Sequence, residues 1–329
     1  MAGELILGID LGGTKSAAVL GTREGEVRYR ASAPTPAGGG PDAVVSLLIR
    51  LAREALEGAA GGGEVIGVGI SAGAPADGAH GVVYPAPNLP GWPESGVPLA
   101  SLVSGALGGL PTCLENDADA TALAEWRYGA GRGSRTMAFL TVGTGVGAGL
   151  ILDGRLHRGA AGAGGEVGHI AVVPEGGRLC NCGLSGCLEA YASGPSVVRV
   201  AVERGFAGDP TGPSVIAAAR AGDPAASFAA AQAGEMLGRG IATLAMLLNP
   251  ECVVLGTLAV HAGDLLLPPL ENALRARAWP RLCRGLRVVP AALGDRAQDL
   301  AALCAYLVRA DSGGTMPEAQ GPASPPRAD

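Results

Sequence analysis

The chain has little lysine, few aromatic residues and no run of basic residues. Among its 329 residues are 24 basic ones, of which Lys15 alone is a lysine, and the formal net charge is -6. Nucleic acids and anionic membrane surfaces normally require a basic face, so this balance argues against both as partners. A compact ammonium suits a phosphate better than a broad guanidinium, which makes Lys15 a candidate phosphate contact.

Long apolar runs are absent as well. No stretch approaches the length of about 20 residues that a membrane helix needs, and no charged start leads into an apolar segment with a cleavage site. Four cysteines stand apart in apolar surroundings, as is typical of buried, reduced thiols rather than disulfides. They are Cys113, Cys252, Cys283 and Cys304. We therefore expect a cytoplasmic protein, long enough for two domains of about 150 residues.

The other three cysteines form the most informative motif. Cys180, Cys182 and Cys187 lie within eight residues, separated by small residues that let the backbone fold back, and His169 stands upstream. Three thiols and one imidazole are a ligand set of tetrahedral structural zinc. The alternative reading, ordinary reduced thiols in a loop, requires an unusually tight chance clustering.

Two glutamates flank this motif. Glu166 precedes His169 by three residues, and Glu189 follows Cys187 by two. A metal on one nitrogen of His169 would orient its other nitrogen, so the loop can hold several hydrogen-bonding groups in place. This neighbourhood predicts a polar small-molecule site, although each glutamate taken alone reads equally well as a solvated surface charge.

Two glycine turns each join a pair of strands. The first turn, residues 12–15, joins strands predicted over 5–11 and 16–20; the second, residues 143–147, follows a strand predicted over Met137–Val142. Rossmann and Walker loops lead into a helix instead, so both are excluded. The near repeat indicates two lobes, and the paired turns, with Asp10 and Lys15 beside the first, fit a phosphate held between them. Either turn alone is equally compatible with a plain hairpin.

The rest of the pattern is alternating α and β. Helical spacing predicts helices over 42–56, 225–248, 263–277 and 297–308, and short apolar runs predict strands over 65–70 and 252–255. A further helix is predicted to start within residues 113–120, with Asn116 as N-cap and Asp117 in its first turn. Asn88 lies in a proline-bounded turn, where its amide faces a ligand or caps the turn itself. Residues 311–329 are rich in Pro, Gly, Ser and Ala, which predicts a disordered tail.

With these pieces in order, the chain resembles the ROK (repressor, open reading frame, kinase) family of sugar kinases, and within it the bacterial glucokinases. The resemblance spans about residues 5–308, and its most specific parts are 10–15, 87–92, 116–118, 166–169 and 180–189. It implies a two-lobed α/β fold of the actin-like, ribonuclease-H-like type, with ATP and sugar meeting in the cleft. The expected domains are a small lobe of residues 1–115 plus 297–310, a large lobe of residues 116–296 and the tail.

The resemblance also implies residue roles. Asp117 would bind the sugar and accept the proton of its 6-hydroxyl as general base. The residues implied to hold the other hydroxyls are Asn88, Asn116, Glu166, His169 and Glu189. Those implied to contact ATP and its Mg²⁺ are Asp10, Gly12, Gly13, Thr14, Lys15, Gly143, Thr144, Gly145 and Gly256. Zn²⁺ is implied at His169, Cys180, Cys182 and Cys187.

Two segments depart from the family pattern. Gly256-Thr257-Leu258 stands where consecutive glycines are usual near the adenosine, and residues 71–77 are looser than the proline-glycine pattern common beside the sugar. The expected activity is transfer of the ATP γ-phosphate to the 6-hydroxyl of glucose. The alternatives within the family are a kinase for another hexose or N-acetylmannosamine, and polyphosphate as donor. By family analogy we expect a homo-oligomer, either dimer or tetramer.

Two alternatives come from other classes. A sugar-responsive transcription regulator would carry a DNA-binding domain ahead of the kinase-like part, and a first strand predicted from residue 5 leaves no room for a helix-turn-helix. The acidic charge agrees with that exclusion. An interaction protein stapled by zinc and without catalysis would leave Asp117, Lys15 and both glycine turns unexplained.

Overall fold

Two β-sheets organise the chain, of which this computed structural model describes residues 3–58, 62–160 and 162–311. The strands are β1 (Gly3–Leu11), β2 (Lys15–Thr22), β3 (Val27–Pro34), β4 (Gly63–Ala72), β5 (Ala76–Asp77), β6 (Val82–Val83), β7 (Thr112–Asn116), β8 (Met137–Val142), β9 (Val146–Leu152), β10 (Arg155–Leu156), β11 (Cys252–Leu255) and β12 (Arg287–Pro290). The helices are α1 (Gly40–Gly58), α2 (Leu99–Ala106), α3 (Asp117–Tyr128), α4 (Glu189–Ala192), α5 (Gly194–Glu203), α6 (Gly212–Arg220), α7 (Pro224–Leu248), α8 (Leu258–Arg277), α9 (Pro280–Cys283) and α10 (Ala297–Asp311).

The chain divides into two compact units. The first unit comprises Met1–Ala124 and Asp295–Asp329, and the second comprises Glu125–Gly294. The division falls within α3, nine residues beyond the boundary expected at residue 115. Asp311 ends α10, and the rest of the predicted tail, from residue 312, lies outside the described residues. Among the helices of the described ranges, none combines the length and apolar character needed to cross a membrane.

The first unit contains a five-stranded sheet with the order β3-β2-β1-β4-β7. Strands β1, β2 and β3 pair antiparallel, whereas β1, β4 and β7 run parallel. Alternate side chains of β1 point to opposite faces of the sheet. One face, with Leu7 and Ile9, shares a buried core with Leu48 and Leu51 of α1.

Helix α10 lies against β1 and β4 at two glycines. A Cβ added to Gly69 would lie 2.0 Å from the carbonyl oxygen of Ala302, and one added to Gly8 would lie 3.0 Å from the Ala302 Cβ. Asp10 shares the face of Gly8 because of the two-residue alternation. The first turn of α10 carries Asp299. The sheet therefore points Asp10 toward the helix that closes the unit.

The second unit repeats this plan. Its sheet has the order β10-β9-β8-β11-β12, again with an antiparallel hairpin followed by parallel strands. We expected two hairpins, each with a glycine turn between its two strands, and this expectation is confirmed. The strand predicted over Met137–Val142 begins and ends at those residues. Helices α7 and α8 pack closely at Gly234, where a Cβ would come within 2.4 Å of the Leu266 carbonyl oxygen.

The helix predicted to start within residues 113–120 does so, at Asp117. The sequence did not predict the strand before it: Thr112–Asn116 forms β7, which pairs with β4. Five residues are too few for periodicity to separate a buried strand from the beginning of a helix. Pairing with β4 decides the conformation, and this partner lies more than 40 residues away along the chain.

A buried ion pair gives a test of how α10 is held in the first unit. The Arg309 Nε lies 3.3 Å from the Glu115 Oε1, with side chains 14% and 2% exposed, and the guanidinium also donates to the Gly78 carbonyl. Removing one partner of a buried pair costs about 3 to 5 kcal/mol. We expect Arg309→Ala to lower the free energy of unfolding in urea by about 3 kcal/mol.

The matched control is Arg275→Ala. It breaks an ion pair with Glu271 in which both side chains are exposed, at 70% and 47%. Exposed pairs of this spacing contribute about 0.5 kcal/mol or less. Equal losses for the two variants would contradict the structural role of the Arg309 pair.

Candidate active site

Asp117 is the first residue of α3, and Asn116 caps that helix. The Asn116 Oδ1 accepts a hydrogen bond from the Asp119 N–H at 2.7 Å, and its Nδ2 donates to the Asp119 Oδ2 at 3.2 Å. The predicted N-cap is confirmed. The Asp117 carboxylate therefore stands at a helix N-terminus, where the aligned peptide dipoles favour negative charge.

The structure distinguishes Asp117 from its neighbour Asp119. Asp119 is 2% exposed and held by Asn116, whereas the Asp117 side chain reaches solvent. Partial desolvation raises the pKa of the Asp117 carboxyl, against the opposing effect of the N–H groups of Ala118 and Asp117 itself. An accessible carboxylate of raised pKa is suited to accept a proton. Asp119 is suited to fix the helix start.

Gly73 is the point at which three predicted site segments meet. Its N–H donates to the Leu11 carbonyl at 2.9 Å, and its own carbonyl accepts from the Asn88 Nδ2 at 2.8 Å. A Cβ at Gly73 would lie 3.8 Å from the Asp117 Oδ2, and a Cβ at Gly13 would lie 2.6 Å from the Asn88 Cβ. The first glycine turn, Asn88 and Asp117 are therefore neighbours within one unit.

Thr35 fastens the first glycine turn, a role that the sequence did not reveal. Its hydroxyl donates to the Gly12 carbonyl at 2.7 Å, and its N–H donates to the Thr14 carbonyl at 2.9 Å. Position 12 has no room for a side chain, because a Cβ there would lie 2.6 Å from the Lys15 carbonyl oxygen. The side chains of Thr14 and Lys15 are exposed, so both can reach a ligand.

Asp10, at the end of β1, has an unusual electrostatic environment. Burial raises the pKa of its carboxyl to about 6, the negative charges of Asp117 and Asp299 add to that effect, and Arg30 opposes it. The Arg30 Nε lies 3.1 Å from both carboxylate oxygens of Asp299. Carboxylates gathered in this way favour a hard divalent cation, which would offset their repulsion.

The four predicted metal ligands converge in the second unit. Ligand atoms of His169, Cys180, Cys182 and Cys187 all lie within 4.8 Å of one another. The Cys180 Sγ lies 3.7 Å from the His169 Nδ1, and the Cys182 Sγ lies 3.7 Å from the Cys187 Sγ. Two sulfurs bound tetrahedrally to one zinc at the usual bond length are about 3.8 Å apart. The residues therefore fit a zinc ion.

Glycines shape the backbone that carries the thiols. The Cys180 N–H donates to the Leu184 carbonyl at 2.8 Å, and the Gly183 N–H donates to the Cys180 carbonyl at 3.0 Å. Gly183 and Gly186 have φ angles of 88° and 85°, which glycine adopts without strain. A Cβ on Gly186 would also lie 1.9 Å from the Val173 carbonyl oxygen. The tight turn brings the thiols to one side.

The two nitrogens of His169 face different groups. The Nδ1 faces the Cys180 thiol, while the Nε2 lies 3.9 Å from the Glu166 Oε2. A metal on Nδ1 would leave Nε2 directed at Glu166, as the sequence predicted for a ligand-orienting histidine. The Glu166 side chain is exposed and available to a ligand.

Glu189 connects the thiols with the second glycine turn. Its Oε2 accepts a hydrogen bond from the Val146 N–H at 2.9 Å, and its Oε1 lies 3.8 Å from the Cys180 Sγ. A Cβ on Gly145 would come within 2.5 Å of the Glu189 Oε2. The sequence predicted Glu189 as a sugar ligand and contained no sign of this contact.

Thr257 occupies the position at which the family usually has a glycine. Its φ of 51° and ψ of -103° are disfavoured for a β-branched residue. Its hydroxyl lies 3.0 Å from that of Thr141, and a Cβ on Gly143 would lie 3.7 Å from the Thr257 methyl. The neighbouring Gly256 packs against the aromatic ring of Phe139, and a Cβ at position 256 would lie 2.8 Å from that ring. The departure from the family pattern thus lies beside the second glycine turn.

Comparison with known proteins finds a family that matches most of the chain. The ROK family matches residues 6–309. A glucokinase of Streptomyces coelicolor is 37% identical over 287 residues, which cover 82% of this chain and 87% of that protein.

Two solved structures extend the comparison. A ROK hexokinase from Thermus thermophilus has a TM-score of 0.81 at 37% identity, covering 93% of this chain and 99% of its own. A ROK family glucokinase from Streptomyces griseus, solved in complex with glucose and AMPPNP, has a TM-score of 0.72 at 35% identity. The match covers 91% of this chain and 98% of the Streptomyces griseus chain. The α/β fold of the two-lobed, actin-like type is confirmed.

The raised pKa of Asp10 predicts a stability effect that depends on pH. Because the pKa rises from 3.8 to about 6 on folding, the group destabilises the folded protein increasingly as the pH rises through that interval. Asp10→Asn should therefore raise the free energy of unfolding by about 1 to 3 kcal/mol above pH ~6 and leave it unchanged below pH ~3.8. Urea unfolding of both proteins between pH 3 and 8, the range that spans both values, measures this.

Asp264→Asn is the control for that experiment. A hydrogen bond from Arg220 lowers the pKa of the exposed Asp264 carboxyl, so this variant should lose stability above the ordinary pKa and not gain it. If Asp10→Asn changed stability equally at acid and neutral pH, the electrostatic account of Asp10 would be wrong.

Proposed function

This chain belongs to the ROK family, and from that premise we propose that it is a glucokinase, which transfers the γ-phosphate of ATP to the 6-hydroxyl of glucose. Similarity to glucokinases and to a ROK hexokinase over most of the chain supports an ATP-dependent hexose kinase. The observation that carries the proposal is the meeting of Asp117, Asn88 and the first glycine turn around Gly73. That arrangement brings a base, a hydroxyl-binding amide and a phosphate turn together.

In the proposed reaction Asp117 is the general base. The 6-hydroxyl oxygen forms the new bond to the γ-phosphorus while the bond from that phosphorus to the ADP oxygen breaks, and the hydroxyl proton moves to the Asp117 carboxylate. Phosphoryl transfer depends mainly on positioning and charge stabilisation, so one accessible carboxylate suffices. The hydrogen-bonded Asn116 cap keeps that carboxylate in place.

The other residues are assigned by the matching motifs. Asn88, Glu166, His169 and Glu189 hold sugar hydroxyls. Asn116 uses one amide hydrogen on Asp119 and keeps the second for the sugar. The proposed nucleotide contacts are Gly12, Gly13, Thr14, Lys15, Gly143, Thr144, Gly145 and Gly256. Asp10 would hold Mg²⁺, which supplies positive charge to the phosphates when bound.

A structural zinc would complete the sugar site. Cys180, Cys182 and Cys187 with the His169 Nδ1 would bind it, and the Nε2 would remain beside Glu166 for the sugar. Zinc would thereby set the direction of the imidazole and would take no part in phosphoryl transfer. A cytoplasmic location and a homodimer or homotetramer remain predictions.

The initial rate of ADP release from Mg-ATP and glucose tests the activity. We expect Asp117→Asn to lower kcat by about 10² to 10⁴-fold, because a positioned base contributes that much, with the glucose KM changed only a few-fold. Asp119→Asn is the matched control, and its kcat should fall far less because Asp119 is buried at the helix cap. Turnover like that of the wild type in Asp117→Asn would remove Asp117 as the base.

The same assay separates the alternatives. Mannose, fructose and N-acetylmannosamine replace glucose in turn, and polyphosphate replaces ATP. Glucose with ATP should give the highest kcat/KM. A higher value for another sugar or donor would reassign the substrate within the family. No turnover with any combination would contradict the proposal of a sugar kinase.

Replacing one thiol tests the zinc site. Cys182 is exposed, so Cys182→Ser disturbs packing little and should still release the metal and weaken glucose binding. Metal content by mass spectrometry and glucose affinity by calorimetry measure the two effects. Cys283→Ser, a half-buried cysteine outside the cluster, should retain one zinc per chain. Unchanged zinc in Cys182→Ser would contradict the ligand set.

A further inference from the structure

The second glycine turn, residues 143–147, is held against the segment that carries the metal ligands, residues 166–194, which we call the metal loop. The Val146 N–H donates to the Glu189 Oε2 at 2.9 Å. At the other end of the turn, the Gly194 N–H donates to the Gly143 carbonyl at 2.7 Å. Both contacts lie within the second unit, and both join residues more than 40 positions apart.

Two glycines let the turn and the metal loop approach this closely. A Cβ on Gly168 would lie 2.0 Å from the Val146 carbonyl oxygen, and a Cβ on Gly145 would lie 2.5 Å from the Glu189 Oε2. The backbone of the turn is therefore in direct contact with the residue next to His169 and with the residue two positions after Cys187. A shift of the metal loop would move the turn with it.

The Glu189 side chain is the polar link in this contact. Its Oε2 holds the turn, and its Oε1 lies 3.8 Å from the Cys180 Sγ. Its main-chain carbonyl is held in turn by the Ser196 hydroxyl at 3.1 Å. An ionised carboxylate offers about four acceptor positions, so the same side chain can hold the Val146 N–H and still accept from a sugar hydroxyl.

We propose that Glu189 is a positioning residue for the donor nucleotide, because it holds the second glycine turn in place and links that turn to the metal loop. The inference rests on the proposed function, in which this turn contacts the phosphates of ATP. Glycine-rich backbone has many accessible conformations, and a phosphate is bound well only when the N–H groups are already oriented. Glu189 supplies a fixed acceptor that reduces this freedom.

The inference predicts that nucleotide affinity depends on Glu189 even when no sugar is present. A hydrogen bond to a charged group contributes enough that Glu189→Ala should weaken Mg-AMPPNP binding about tenfold. In Glu189→Gln the amide oxygen can still accept from the Val146 N–H, so nucleotide affinity should stay within about twofold while glucose affinity falls with the lost charge. Calorimetry with each ligand alone measures both.

Glu166→Ala is the matched control. Glu166 is also a proposed sugar ligand, and it faces His169 and not the glycine turn. This variant should weaken glucose binding and leave Mg-AMPPNP binding unchanged. Equal nucleotide affinities for wild type and Glu189→Ala would overturn the inference. A loss of nucleotide affinity in Glu189→Gln as large as in Glu189→Ala would do the same.

Metal removal provides a second measurement, which starts from the wild-type protein. Wild-type protein treated with a chelator, with its fold checked by circular dichroism, should bind Mg-AMPPNP more weakly than the zinc-loaded protein. The same treatment should change nucleotide affinity much less in Glu189→Ala, because the link is already missing. Equal chelator effects in both proteins would refute the link. Wild-type protein that binds no nucleotide at all would overturn the proposed function, and this inference with it.

Discussion

Close backbone approach at glycine positions is the constraint on which both parts of the candidate site depend. Gly13 leaves the space that Asn88 occupies, and Gly145 leaves the space that the Glu189 carboxylate occupies. Gly69 similarly lets α10 approach the first sheet. At each of these positions a Cβ would lie within 2.6 Å of a neighbouring atom, so glycine leaves the space that the partner occupies. The glycines therefore determine which polar groups can be neighbours.

The close packing also determines the electrostatic environment of the candidate site residues. In the first unit, desolvation and neighbouring carboxylates raise the pKa of Asp10, and desolvation raises that of Asp117. A bound cation would offset both effects by favouring the ionised carboxylates. In the second unit, three thiols share one small volume with the His169 Nδ1. Both units thus gather groups that can bind a metal ion: carboxylates in the first, and thiols with an imidazole in the second.

Much of the fold was predictable because its signals are local. Each sheet begins with two apolar runs joined by glycines, and Asn116 has the side chain that an N-cap requires. Strand β7 was not predicted because five residues contain too little periodicity. Burial of Glu115 and Glu125, at 2% and 0% exposure, was likewise invisible, since charged residues are ordinarily assigned to the surface.

The sequence by itself determined the chemistry available to the protein: three thiols and an imidazole at metal-binding spacing, a capped Asp117 and two glycine turns. Only the tertiary structure decided which of these groups meet. Glu189 finds its partner 43 residues away, Asn88 finds Gly73, and Arg309 reaches Glu115 across 194 residues. In the first two contacts the partner is a backbone group: an N–H, which every residue except proline carries, or a carbonyl, which every residue carries. Because such a group is present at nearly every position, the sequence does not indicate which one will be the partner. The folded structure identifies it.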